Sequence, residues 1–205
     1  MTRLADAPAT SRNREPILEV LKQELSACEN VLEIGSGTGQ HAVYFAEQMP
    51  ALKWQTSDRE ENCADIAARL RSAGLDNIGL PLALDVLHDS DPDGAYDGIF
   101  SANTAHIMSI QAVVALFALV GRLLPEGAPF CLYGPFRIDG EFTSESNEQF
   151  DSSLKRRDTA MGIRDLEYLD ELASLAQLQR TALYAMPANN FIAVWRKMAT
   201  VVANP

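Results

Sequence analysis

A turn with glycine at three alternate positions constrains this chain more than any other feature. An apolar stretch at residues 31–34 runs directly into Gly35, Gly37 and Gly39, and a helical pattern follows. Glycine allows positive φ angles and lets the backbone approach a ligand closely. The dinucleotide-binding pattern G-x-G-x-x-G would need glycine where the chain has Gln40. The pattern therefore predicts a strand, a tight turn and a helix, with or without a ligand on the turn.

The chain length of 205 residues predicts one domain, spanning 1–205. Three cysteines, Cys28, Cys63 and Cys131, match neither C-x-x-C nor a zinc-binding spacing, so we expect free thiols and no metal site. The first residues lack the apolar stretch of a signal peptide, and the longest apolar run, residues 112–120, is about half a membrane span. We therefore expect a soluble, cytoplasmic protein with no membrane partner.

The formal net charge of −11 argues against nucleic acid as a partner. Affinity for nucleic acid comes largely from Lys and Arg side chains that neutralise phosphates. The one basic run, residues 155–157, lies between Asp151 and Asp158, which is typical of a solvated helix face. A small molecule is the expected partner.

Apolar periodicity alternates along the chain between helical and strand-like spacing. Helices are predicted at residues 17–25, 42–48, 60–73, 110–124 and 165–175, and strands at residues 31–34, 52–57, 78–84, 96–102, 130–133, 181–186 and 191–196. This alternation predicts an α/β fold, with a parallel sheet covered by helices on both faces. Pro81 places the third strand at an edge, and the last two strands are predicted to form an antiparallel hairpin. Residues 1–12 are predicted to form a flexible arm.

Acidic residues accompany the glycine turn. Asp58 ends the second strand, where a carboxylate can accept hydrogen bonds from ribose hydroxyls. Asp85 follows the third strand and can accept a hydrogen bond from an adenine amino group. Glu33 precedes the turn and can bind an ammonium group directly or through water. Three carboxylates would repel a pyrophosphate and attract a cationic sulfonium nucleoside. The turn therefore suits S-adenosylmethionine (SAM) better than NAD.

The segment E-I-G-S-G-T-G at residues 33–39, with Asp58 and Asp85 at these spacings, resembles the class I SAM-dependent methyltransferases. The resemblance implies a Rossmann-like, doubly wound sheet of seven mostly parallel strands with an antiparallel last strand. It also implies that the glycine turn passes beside the methionine part of SAM, that Asp58 binds the ribose, and that Asp85 and Val86 border the adenine.

A closer likeness covers nearly the whole chain and is to a little-characterised methyltransferase-like family of bacteria and animals. The matching segments are N-R-E-P-I at 13–17, S-G-T-G-Q-H at 36–41, N-T-A-H at 103–106, Y-G-P-F at 133–136, S-E-S-N-E-Q-F-D at 144–151, G-I-R-D at 162–165 and M-P-A-N-N at 186–190. This family has no assigned substrate, so the likeness adds candidate sites without adding a methyl acceptor.

Further residues are candidates for cofactor contacts. Arg14 and His41 can contact the cofactor carboxylate, with a surface charge and structural packing as the respective alternatives. Asn103, which follows the fourth strand, can contact a cofactor edge. The complete predicted set is Arg14, Glu33, Gly35, Ser36, Gly37, Gly39, His41, Asp58, Arg59, Asp85, Val86 and Asn103.

Two residues are candidates for catalysis. His106 follows the fourth strand, where the methyl group would be presented, and an unperturbed histidine pKa of about 6.5 suits a general base. Its alternative role is packing against the next helix. Tyr133 ends the fifth strand and is the second candidate, with a core position as its alternative.

The segment at residues 137–165 is predicted to be an insertion over the active site. Arg137, Asn147 and Asn190 are predicted to bind the substrate, although asparagine in loops most often serves turn chemistry.

Three further functions stay open beside a small-molecule methyltransferase. One is a protein that binds SAM or its product, S-adenosylhomocysteine (SAH), without turnover. Another is a protein methyltransferase, and the last is an NAD-dependent oxidoreductase. The absence of a nucleophile triad does not count against methyl transfer, because the enzyme mainly holds two partners in line. The sequence predicts neither the acceptor atom nor the oligomeric state.

Overall fold

The computed structural model describes residues 8–199 and is built around a sheet of seven strands. The strands in chain order are β1 (Asn30–Ile34), β2 (Lys53–Asp58), β3 (Ile78–Ala83), β4 (Gly98–Ala102), β5 (Pro129–Gly134), β6 (Phe136–Ile138), β7 (Glu141–Phe142), β8 (Arg164–Asp165), β9 (Leu178–Met186) and β10 (Asn190–Lys197). The central sheet has the order β3-β2-β1-β4-β5-β10-β9, and β7-β6-β8 form a separate small sheet.

Strand direction confirms the predicted seven-stranded, mostly parallel sheet. The pairs β1–β2, β1–β4, β2–β3 and β4–β5 are parallel, while β10 is antiparallel to both β5 and β9. Pro81 lies in β3, which is an edge strand as predicted. The chain order of the strands reverses between β1 and β4. In sheets of this kind, a crevice for ligands opens at that point, beyond the carboxyl ends of the strands.

Residues 8–199 form six α-helices. They are α1 (Pro8–Glu24), α2 (Gln40–Gln48), α3 (Glu60–Ala73), α4 (Ile110–Leu123), α5 (Glu145–Arg157) and α6 (Leu166–Leu175). Side chains alternate across a strand, so β5 sends Phe130 towards α4 and α6 and Cys131 towards α1 and α2. The sheet is therefore covered on both faces, as the alternation of elements predicts.

The first helix begins earlier than the sequence pattern indicates. Residues 8–12, which the sequence analysis assigned to an arm, form the first turn of α1, and residues 1–7 lie outside the described part of the chain. Pro16 removes one helical hydrogen bond, yet the helix continues through it. Tertiary contacts explain this, because the Asn13 side chain is buried and bonded to α2.

The predicted insertion has its own secondary structure. It lies in the chain between β5 and α6 and contains the small sheet and α5. Parallel pairing of β6 with β8 places Phe136 opposite Arg164, so the two ends of the insertion lie side by side. The Ser144 side chain accepts a hydrogen bond from the Asn147 backbone and caps α5.

Within residues 8–199, no helix has the length and apolarity needed to cross a membrane. The same residues contain no cluster of three His, Cys, Asp or Glu side chains suited to a metal ion. All three cysteines are free thiols.

Candidate active site

The glycine loop, residues 35–39, connects β1 to α2 at the strand-order reversal. Gly35, Gly37 and Gly39 have φ angles of 77°, 58° and 72°, a region that favours glycine. The Gly35 and Ser36 amides both donate to the Ser57 carbonyl of β2, at 3.0 and 2.9 Å. The loop is thus fixed by the neighbouring strand.

One side of the glycine loop is closed and another is open. A Cβ atom added to Gly35 would lie 2.5 Å from the Thr104 methyl group, so the loop touches the chain that follows β4. A Cβ atom added to Gly37 would meet nothing within 4 Å. The backbone at Gly37 therefore faces open space, which a ligand can fill.

Asp58 connects the glycine loop to the end of β2. Its carboxylate accepts hydrogen bonds from the Gly37 amide at 2.7 Å, the Arg59 amide at 2.8 Å and the Asn62 side chain at 2.7 Å. The Leu84 amide donates to the Asp58 carbonyl at 2.8 Å and brings the end of β3 to the same edge. The glycines and the acid predicted to share one site are therefore in direct contact.

Glu33 lies beneath the glycine loop and is almost fully buried, with 1% of its surface exposed. Its carboxyl group accepts hydrogen bonds from the Ser36 hydroxyl at 2.9 Å and the Trp54 indole at 3.1 Å. Burial raises the pKa of Glu33 to about 7, although both hydrogen bonds favour the charged form. Glu33 can therefore change its charge near neutral pH, directly under the loop.

Asp85 and Arg59 lie at the outer edge of this region. The Asp85 carboxylate accepts from the Leu87 amide at 2.9 Å and contacts the His88 ring at 3.1 Å. The Leu87 bond, followed by the His88 bond, lowers the pKa of Asp85. Arg59 forms an exposed ion pair at 2.7 Å with Glu61. The Asp85 carboxylate is consequently charged at neutral pH and partly exposed.

The N-terminal helix supplies another wall. The Asn13 side chain contacts the His41 ring nitrogen at 2.8 Å, and that ring stacks on Phe45. Burial lowers the pKa of His41 to about 4, so the ring is neutral and packed between helices. The Arg14 guanidinium lies 4.5 Å from the centre of the Tyr44 ring, and its buried Nε has no hydrogen-bond partner.

Tyr133 and Asn103 meet where β4 and β5 end. Tyr133 is buried, and its hydroxyl is hydrogen-bonded to Asn13, while burial raises its pKa. The Asn103 amide donates to the Tyr133 carbonyl at 2.9 Å, and Asn103 has a φ angle of 59°. Asn103 is thus held in the left-handed region at the end of β4, a conformation that asparagine tolerates better than most residues.

The β4–α4 loop, residues 103–109, is held internally by Thr104. Its hydroxyl lies 2.7 Å from the Ser101 hydroxyl, and its carbonyl accepts from the Ile107 and Met108 amides at 2.9 and 3.0 Å. The loop therefore leaves the sheet as a compact turn, and it carries His106.

His106 is buried beneath the insertion. Its ring meets the Phe150 ring of α5 edge-on, with centroids 5.3 Å apart, and Nδ1 faces Gly134 at the end of β5. Burial, with a smaller effect of the Arg164 charge, lowers the pKa of His106 to about 4. The imidazole is therefore neutral at pH 7, and burial makes it a weaker base than a free histidine.

The three predicted substrate residues have structural partners. The Arg137 guanidinium donates to the Gly140 carbonyl and pairs with Asp165 at 3.1 Å. Asn147 donates to the Asn189 carbonyl at 2.9 Å, and Asn190 donates to carbonyls of its own turn. Their role in substrate binding stays a prediction.

A family model described as "Protein of unknown function (DUF938)" matches residues 5–197. The chain belongs to this family.

Solved structures with the same fold include methyltransferases. An O-methyltransferase family protein from Burkholderia thailandensis has a TM-score of 0.80 and 13% identity, over 93% of this chain and 58% of that one. Human N-acetylserotonin methyltransferase in complex with SAM has a TM-score of 0.78 and 17% identity, over 93% of this chain and 53% of that one. The mitomycin 7-O-methyltransferase MmcR has a TM-score of 0.80 and 17% identity, over 92% of this chain and 54% of that one. This DUF938 chain spans little more than half of each protein, and the likeness shows a methyltransferase fold.

Three residues of this DUF938 chain shape the site although no sequence pattern predicts a role for them. Asn13 joins His41 to Tyr133, Thr104 packs against Gly35, and Arg164 contacts the β4–α4 loop. Each lies in one of the segments quoted above, at residues 13–17, 103–106 and 162–165. Their partners are distant in sequence, so the segments mark the residues but not the contacts.

The low histidine pKa values predict a measurable result. We expect the ring signals of His41 and His106 to titrate near pH 4 in an NMR experiment, because burial disfavours their charged forms. Their contribution to stability is then complete above about pH 6.5 and is lost as the pH falls towards 4. Substituting the third histidine, His88→Gln, helps to assign the signals. Titration of His106 at or above pH 6.5 would contradict its burial under Phe150.

Proposed function

We propose that the protein is a SAM-dependent methyltransferase that acts on a small molecule. The observation that carries this proposal is the open backbone at Gly37, 2.7 Å from the Asp58 carboxylate and above the buried Glu33. The arrangement combines room for a ligand with two acids at the carboxyl end of the sheet.

The charges of the site fit SAM. Its ammonium and sulfonium groups are cations, and Glu33, Asp58 and Asp85 supply carboxyl groups on three successive strand ends. Its carboxylate needs a donor, and the Arg14 Nε is buried without a partner beside α2. The two negative charges of an NAD pyrophosphate would face the same acids, so NAD fits poorly.

Each part of the cofactor has proposed partners. Asp58 binds the ribose hydroxyls, and Asp85 and Val86 border the adenine. Glu33 binds the ammonium group directly or through water, and the glycine loop with Ser36 lies against the methionine part. Asn103 and Arg59 contact cofactor edges, and His41 supports the loop by packing.

SAM supplies a methyl group that is already activated for displacement. The chain must then hold the acceptor in line with it, which can contribute roughly 7–11 kcal/mol. His106 is proposed to take the acceptor proton, since its neutral imidazole lies on the loop after β4. Tyr133 is the second catalytic candidate. The names of proteins with the same fold include mitomycin and N-acetylserotonin, which supports a small acceptor.

Calorimetric titration with SAH tests the proposal. We expect micromolar binding to the wild type and no saturable binding of NAD. Asp58→Ala should weaken SAH binding by about 100-fold or more, because it removes charge-assisted hydrogen bonds worth roughly 1.5–3 kcal/mol each. Asp91→Ala is the matched control, since that exposed aspartate pairs with Arg122 away from the loop. Folded wild type that binds no SAH would refute the proposal.

A further inference from the structure

Arg164 joins the insertion to the β4–α4 loop. Its Nε donates to the Ala105 carbonyl at 3.0 Å, and its Nη2 donates to the Met108 carbonyl at 2.5 Å and to the Ala160 carbonyl at 2.8 Å. The Ala105 and Met108 carbonyls lie on either side of His106 in the chain. The single guanidinium therefore hydrogen-bonds to backbone carbonyls on both sides of His106, the candidate base.

A neighbouring amide strengthens this connection. The Gly162 amide donates to the carbonyl of His106 itself at 2.9 Å. Gly162 is in turn packed against Asp151 and Lys155 of α5, which form an ion pair at 2.7 Å. The insertion thus binds the loop at three backbone carbonyls, those of Ala105, His106 and Met108.

The Arg164 charge is placed at an energetic cost. Burial lowers the pKa of Arg164, and among residues 8–199 it forms no ion pair within 4.0 Å. Arg180 differs, because Asp170 binds it at 2.8 Å. The charge of Asp151 acts on Arg164 without forming an ion pair and only partly offsets burial, so the N–H groups of Arg164 bind backbone carbonyls instead of a carboxylate.

We propose that Arg164 is a positioning residue for the candidate active site and fixes the β4–α4 loop so that His106 faces the end of β5. The relevance of this position to methyl transfer rests on the proposed function, whereas the positioning itself does not. The same loop packs against Gly35 through Thr104, so its position also sets one wall of the glycine loop.

Amide hydrogen exchange tests the positioning directly. The reporters are the Ile107 and Met108 amides, which donate to the Thr104 carbonyl inside the loop. We expect Arg164→Gln to speed their exchange on the order of tenfold, because the loop loses two of its external hydrogen bonds. Arg156→Gln is the matched control, since Arg156 is an exposed residue of α5 in the same insertion. It should leave both amides unchanged.

Arg164→Lys separates position from charge. Lysine keeps the positive charge but lacks the planar fork that spans the Ala105 and Met108 carbonyls. We expect faster exchange in this variant too, and the His106 ring should titrate at least about one unit closer to the free value. If the His106 ring of Arg164→Lys titrates at the same pH as in the wild type, the role of Arg164 is purely electrostatic and the proposal is overturned.

The remaining outcomes are equally decisive. Unchanged exchange in folded Arg164→Gln overturns the positioning role, and if that variant does not fold, unchanged exchange in Arg164→Lys does so. SAH titration of the wild type keeps the two proposals apart. Absence of SAH binding with faster loop exchange in the variants would refute the proposed function and support the positioning.

Discussion

Gly35→Ala should lower the free energy of unfolding by about 3 kcal/mol, from a left-handed backbone cost of roughly 1–2 kcal/mol and an overpacking cost of similar size. The new Cβ would lie 2.5 Å from the Thr104 methyl group. That methyl cannot rotate away easily, because the Thr104 hydroxyl is bonded to Ser101 in a buried position. Urea denaturation of the two proteins measures the difference.

Gly37→Ala is the matched variant and should behave differently. Its φ angle of 58° also disfavours alanine, but its Cβ would meet nothing within 4 Å, so we expect a loss of about 1 kcal/mol. SAH binding should nevertheless disappear, because the methyl group enters the open space above Asp58. Equal destabilisation of both variants would show that the loop is less tightly closed at Gly35 than the structure indicates. Unimpaired SAH binding by Gly37→Ala would place the cofactor elsewhere.

Glu33→Gln should stabilise the protein at alkaline pH by about 3 kcal/mol, the equivalent of a carboxyl pKa raised from 4.5 to about 7. The folded state holds the Glu33 proton more tightly than the unfolded state does. Wild-type stability therefore falls, relative to the variant, as the pH rises from about 4.5 to 7, and the loss is complete above that. Glutamine can still accept hydrogen bonds from Ser36 and Trp54 and carries no charge.

Urea denaturation at about pH 4.5 and about pH 8.5 tests this difference. His41 and His106 titrate in both proteins, so their effects cancel in the comparison. The stabilised variant should bind SAH at least about tenfold more weakly, because the ammonium group loses an anionic partner. No gain in stability at alkaline pH would show that folding does not raise the pKa of Glu33. A gain without any loss of SAH affinity would remove Glu33 from the cofactor site.

The fold could be predicted from the sequence because its signals are local. The apolar stretch before Gly35 and the alternation of strands and helices specify a parallel sheet, and the short connection after β9 specifies the hairpin. Parallel strands place their carboxyl ends at one edge, which predicts Gly37 and Asp58 at that edge, and the Gly37 amide donates to the Asp58 carboxylate at 2.7 Å.

The rest depends on contacts between distant residues, which a single sequence does not reveal. The early start of α1 follows from the bond between Asn13 and His41, and the burial of His106 follows from Phe150 in the insertion. The two-residue strands β7 and β8 are too short to produce a periodic signal. Arg164 stands in a recognisable segment, yet its three carbonyl partners are set only by the folded chain.

The pairing of β6 with β8 makes the insertion a module with adjoining ends. Phe136 and Arg164 lie opposite each other in this pair, so the chain enters and leaves through one narrow base. Such a segment can be exchanged between proteins as a cassette without moving the strands that carry Gly35 and Asp58. Arg164, which hydrogen-bonds to the β4–α4 loop, lies at that base. A graft that joins the cassette there transfers Arg164 together with α5, whose Phe150 covers His106.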